Sequence, residues 1–208
     1  MAKKLHGGAE TKLVDAFHAV DLGAPFKVVL TNCVMADYDS SGNMLNYTIP
    51  DFEGLVRSVV MARLVHDRKL NGEELKFLRK AVGIPQVELA RVLDCNPEHL
   101  SKVENGRYPL TTMAERWARM FLFEKAAKLH KMEEGKLKDK LHDLLAKMFE
   151  GLKPVAAFSV GELEFSFHRE ATPECTGVAA NDDWSEAEHL VGSLDEWSDG
   201  ADLQSACG

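Results

Sequence analysis

The stretch "PQVELARVLDCNPEHLSKVENG", residues 85–106, carries two short helical patterns and the signals that stop one and start the other, which leaves it few ways to fold. In the first pattern Val87 or Leu89, with Ala90 and Leu93, forms one apolar stripe; in the second, Leu100 and Val103 recur at helical spacing. Only Asp94 and Cys95 are left for the turn. Two short helices joined this tightly must cross steeply, and the small Ala90 suits the close approach, so the spacing predicts a helix-turn-helix.

Asn96 is a strong N-cap, and Pro97 fits the first helical position, where its missing N–H costs nothing and its φ is already set. Gly106 supplies an equally sharp stop. The second helix is therefore only two to three turns long, and its N-terminal end is narrow enough for a DNA major groove about 12 Å wide.

With Leu100 and Val103 facing inward, Glu98, His99 and Lys102 face outward near that end. Lys102 can donate to guanine O6 and N7, Glu98 can accept from cytosine N4, and His99 can reach a base edge or a phosphate. Gln86 can contact phosphate or brace the reading helix. Arg107, beyond Gly106, and Arg79 or Lys80, upstream, are candidate backbone contacts.

A nucleic-acid partner has to be reconciled with a formal net charge of -8. The charge is unevenly placed: residues 1–153 hold 24 Lys and Arg against 21 Asp and Glu, a net of +3, whereas residues 154–208 hold 1 against 12, a net of -11. The acidity belongs to the tail, and binding depends on local basic surface. Cys33, Cys95, Cys175 and Cys207 are scattered and form no C-x-x-C, nor do the eight histidines form a ligand cluster, so no metal or cofactor is expected. No phosphate-binding Gly-rich loop, nucleophile elbow or H-E-x-x-H occurs, and the expectation is a protein that is not an enzyme. The absence of a long apolar run or secretory leader points to the cytoplasm and away from membranes.

Along the chain, 13–20 suits one or two helical turns, and apolar β-branched runs at 26–36 and 44–49 flank "DSSGN" as a hairpin would. The organisation read from this is an N-terminal segment with a β-hairpin (1–50), a linker helix (51–72), the helix-turn-helix domain (73–125), a helical dimerisation or core region (126–153) and an acidic, largely disordered tail (154–208). Leu137, Leu141, Leu144, Leu145 and Met148 make an apolar stripe that something must cover, a dimer seam or the core. "AAFSVGELEFSF" alternates enough for one strand or hairpin arm. Trp184 and Trp197, set among carboxylates, give the tail a composition that can fold on a protein partner. The fold class expected is mainly α with a small β element.

The run "LKFLRKAVGIPQVELARVLDCNPEHLSKVENG" resembles the lambda-repressor/Cro-like helix-turn-helix of the XRE family, with Arg79, Gln86, Leu89, Ala90, Ser101, Lys102, Glu104 and Gly106 on the family's pattern. The resemblance implies a lambda-repressor-like bundle that binds double-stranded DNA, and it adds Ser101 to the candidate contacts. Upstream, "IPDFEGLVRSVVMARLVHDRKLNGEELKFLRKAVG" is similar to YgiT-type regulators, the group containing the MqsA-type antitoxins, whose reading positions fall on Glu98 and Lys102. Their paired zinc-binding cysteines are missing here, where only Cys33 lies in the β region. The function expected is a sequence-specific transcription regulator acting as a homodimer, most simply a repressor. The alternatives are an antitoxin-like autoregulator and a protein-binding adaptor or antiactivator that does not use DNA.

Overall fold

The computed structural model describes residues 10–129, 134–151, 163–169 and 185–186. A sheet and a helical bundle share one helix. The sheet is built on β2 (Lys27–Tyr38), whose β-branched residues suit a pleated surface. β1 (Glu10–His18) runs antiparallel along one edge. The other edge is divided: β3 (Met44–Thr48) pairs antiparallel with residues 35–38, and β4 (Glu164–His168) pairs parallel with residues 27–31. β5 (Ser185–Glu186) then adds to β4.

The hairpin of β2 and β3 agrees with the sequence reading. Residues 13–20 do not: they lie in β1 and a 3-10 turn at Val20–Leu22 rather than in an α-helix. Leu13, Val14 and Phe17 mimic a helical stripe, but pairing with β2 satisfies their backbone and decides the matter. The register of β1 on β2 shifts between Val14 and Ala16, where Asn32 adopts a left-handed φ of 53° and β2 takes up an extra residue.

The parallel pair of β2 and β4 needs a long crossover, and here that crossover is the entire helical part of the chain. β4 comes from the stretch the sequence reading assigned to the acidic tail. Its Phe165 and Phe167 are enclosed beside Phe26, Val28 and Leu30. The rest of that tail lies outside the described residues, apart from 163, 169 and β5.

α1 (Phe52–Val65) follows β3. Leu55, Val59 and Ala62 pack on the sheet, while Val60, Met61 and Leu64 pack into the helical core with Leu75, Leu89, Leu100 and Leu122. With apolar residues turned to both sides, the expected linker is instead the joint between two cores. α2 (Gly72–Ala81), α3 (Gln86–Val92), α4 (Pro97–Glu104), α5 (Thr112–Leu129) and α6 (Glu134–Glu150) complete the order.

The apolar stripe of α6 divides in two. Leu144 and Met148 are enclosed in the helical core, so these two cannot line a seam with another molecule. Leu141 is exposed and Leu145 half-buried, and the side chain of Leu137 lies outside the described residues.

Two ion pairs that sequence reading missed hold the α1–α2 connection. The Arg63 guanidinium meets Glu74 at 2.8 Å and donates to the carbonyls of Arg68 and Lys69. Arg119 pairs with Glu115 at 3.0 Å and donates to the carbonyls of Leu64, His66 and Arg68. Glu115 in turn accepts from the Leu70 N–H at 2.7 Å. Backbone groups at the end of α1 would otherwise be buried without partners, and the guanidinium forks satisfy several at once. Burial lowers the Arg119 pKa and the Glu115 carboxylate opposes that shift. The i,i+4 spacing of Glu115 and Arg119 was visible in the sequence; their complete burial was not.

Candidate nucleic-acid interface

The site starts with three short helices and their caps. Asn71 and Glu74 form a reciprocal capping box on α2, each side chain accepting from the other's backbone N–H. Gly72, the first residue of that helix, sits against the end of α4; a Cβ there would lie 2.0 Å from the Val103 carbonyl oxygen. This close approach is why the position takes glycine.

α3 and α4 cross as the sequence spacing requires. Ala90 is buried at the crossing, and the turn closes through Asp94, with a left-handed φ of 50°, and a Cys95 N–H to Ala90 carbonyl bond of 3.0 Å. The Asn96 side chain accepts from the His99 N–H at 2.7 Å, and Pro97 opens α4. Gly106, at φ 72°, ends it by turning the chain back. At eight residues α4 is about 12 Å long, with Leu100 and Val103 buried beneath it.

On the outer side Glu98, His99 and Lys102 are exposed, and so are Lys80 and Arg107. Ser101 is half-buried, and its carbonyl accepts from the Asn105 side chain at 2.8 Å. The expected readers therefore share one accessible helix face. Arg79 does not belong with them. It is 7% exposed and bidentate to Glu104, with Nε to Oε1 at 2.6 Å and Nη2 to Oε2 at 2.9 Å, and its remaining terminal nitrogen donates to the Ile84 carbonyl. A guanidinium buried and turned onto Glu104 in this way is not presented to phosphate, which corrects its assignment as a backbone contact.

Gln86 joins the same network, donating to Glu104 Oε2 at 2.8 Å. Of its two expected roles, the brace is the one this geometry holds. α2, α3 and α4 are thus tied through one buried carboxylate, and α4 is presented as a rigid element. Lys76 adds a fourth link, donating to Asn105 at 3.1 Å.

Sequence reading also missed Tyr108. Its ring is exposed and stacks on the His99 imidazole, with centroids 5.5 Å apart and planes 17° from parallel. Burial, reinforced by the Asp94 carboxylate, pushes the Cys95 thiol up, and burial does the same to Cys33.

Residues 75–121 match the family model described as helix-turn-helix, 47 of the 208 residues. No curated protein and no solved structure matches the chain. The family match covers the braced helices and the loop after α4, and it supports in general terms a DNA-binding regulator of the XRE type. Among the described residues no helix is long and apolar enough to cross a membrane.

Proposed function

We propose that the protein is a sequence-specific transcription regulator that inserts the N-terminal half of α4 into the DNA major groove and represses by occupying a promoter. The observation that carries this reading is the capped, braced α4 with Glu98, His99 and Lys102 on its open face. Lys102 donates to a guanine edge and Glu98 accepts from cytosine, while Arg107 and Lys80 meet phosphates.

The protein binds as a homodimer to an inverted repeat with half-sites about 10 bp apart or a multiple of that. Leu141, exposed, and Leu145, half-buried, support a seam on α6. Replacing both with Glu is expected to give folded monomers, and a dimer that persists in sedimentation removes that face from the interface. The likeness of 49–83 to YgiT-type regulators supports autoregulation of an antitoxin kind as a narrower form of the same role.

Selection of bound sequences from a random duplex pool, followed by affinity across a salt series, tests the reading. A selected inverted repeat and affinity that falls steeply with salt are expected. Absence of any salt-sensitive DNA binding would instead favour the protein-binding adaptor.

A further inference from the structure

The chain beyond α4 is part of the presented surface. The Gly106 N–H donates to the Val103 carbonyl and the Arg107 N–H to the Lys102 carbonyl at 2.8 Å, so the segment doubles back along the helix it has just left. Leu110 then anchors it in the helical core. Between these fixed points Tyr108 lies against His99, a residue in the first turn of α4, where base contacts are made.

Three features make this contact more than a surface coincidence. The His99 backbone is held by the Asn96 cap, so only its side-chain torsions remain to be set. His99 also lines a pocket of about 150 Å³ whose walls include Leu93, Cys95, Pro109 and Ala114. The ring contact His99 does make is the near-parallel one with Tyr108, at a centroid distance typical of an offset stack. An offset stack covers part of one ring face and leaves the edges, where the nitrogens are, open to a partner.

We propose that Tyr108 is a positioning residue of the reading surface: its ring fixes the orientation of the His99 imidazole, so that His99 reads one base pair by hydrogen bond. The proposal rests on the reading of α4 as a DNA-recognition helix. It adds Tyr108 to the reading set of Glu98, His99 and Lys102, and makes His99 and Tyr108 one specificity-determining pair. In an unstacked state the same imidazole samples several orientations, and the bond to a base edge must overcome that freedom.

The test is selection from a random duplex pool with the full chain and with His99→Ala, Tyr108→Ala, Tyr108→Phe and the double alanine variant. Thermal melts serve as a control for folding, since both side chains are exposed. His99→Ala and Tyr108→Ala are expected to relax preference at the same base pair, by about tenfold for the former and somewhat less for the latter. The double variant should lose no more than His99→Ala alone, because the two act as one unit. Tyr108→Phe retains the stacking ring and should keep the wild-type profile. Uniform weakening across all sequences in both Tyr108 variants would make the hydroxyl a phosphate contact and overturn the proposal. An unchanged profile in Tyr108→Ala or in His99→Ala would also overturn it. If the wild-type chain selects no sequence at all, the DNA reading itself fails, a result distinct from each of these.

Discussion

Lys102 and Arg107 differ in position by one turn of chain, yet they should fail in different ways. Lys102 lies exposed on α4, and Lys102→Ala is expected to weaken specific binding by about 1–3 kcal/mol while relaxing preference at one or two base pairs. Arg107 follows the stop at Gly106, and Arg107→Ala should weaken all sequences alike. Indistinguishable base-preference profiles from the two variants would refute the division into reader and clamp. Gly72 is a residue whose importance comes from what is absent. An added methyl would meet the Val103 carbonyl at 2.0 Å, so Gly72→Ala is expected to lower stability by about 1–3 kcal/mol in urea unfolding, despite alanine's better helix propensity. A variant as stable as wild type would mean that α2 and α4 can separate without cost. The outward position of Lys102 could be read from the sequence because helical phase and caps are local; the role of Gly72 could not, because its neighbour lies 31 residues further along the chain.

At the scale of elements, the helix-turn-helix depends on how α2, α3 and α4 are fastened. Arg79→Ala would leave the Glu104 carboxylate, 1% exposed, without its main partner, and removing one member of a buried pair costs about 3–5 kcal/mol. Stability is expected to fall by roughly that amount in urea unfolding, with Gln86 offsetting a part. If Arg79→Ala unfolds like wild type and only weakens DNA binding, the brace reading is wrong and the backbone-contact reading returns. Sequence periodicity placed α2 through α6 because apolar residues three and four apart mark a buried face wherever the partner lies. It could not say which partner. Leu141 and Leu144 belong to one stripe in the sequence, but the helical core encloses Leu144 and leaves Leu141 exposed.

For the whole molecule, the decisive feature is that α1 belongs to both cores. Phe165→Ala, in the sheet and remote in sequence from α4, should cost about 3–5 kcal/mol. Because Leu55 and Val59 face the sheet while Val60 and Leu64 face the bundle, amide hydrogen exchange should quicken in α2–α4 as well as in the strands. Undiminished protection in α2–α4 would show that the two cores unfold separately. Local sequence was enough to specify the helix-turn-helix, from Asn96 and Pro97 at one end of α4 to Gly106 at the other, and the outward set of Glu98, His99 and Lys102. Capping and helical phase act over a few residues, so their signals survive in one dimension. Tertiary structure alone decided that residues 13–17 are strand, that β4 returns beside β2, that Arg79 faces inward and that Tyr108 meets His99. Lys27 and Glu164, 137 positions apart, pair at 2.7 Å across β2 and β4. Contacts of that range depend on where the folded chain brings its parts together, and local propensity carries no record of it.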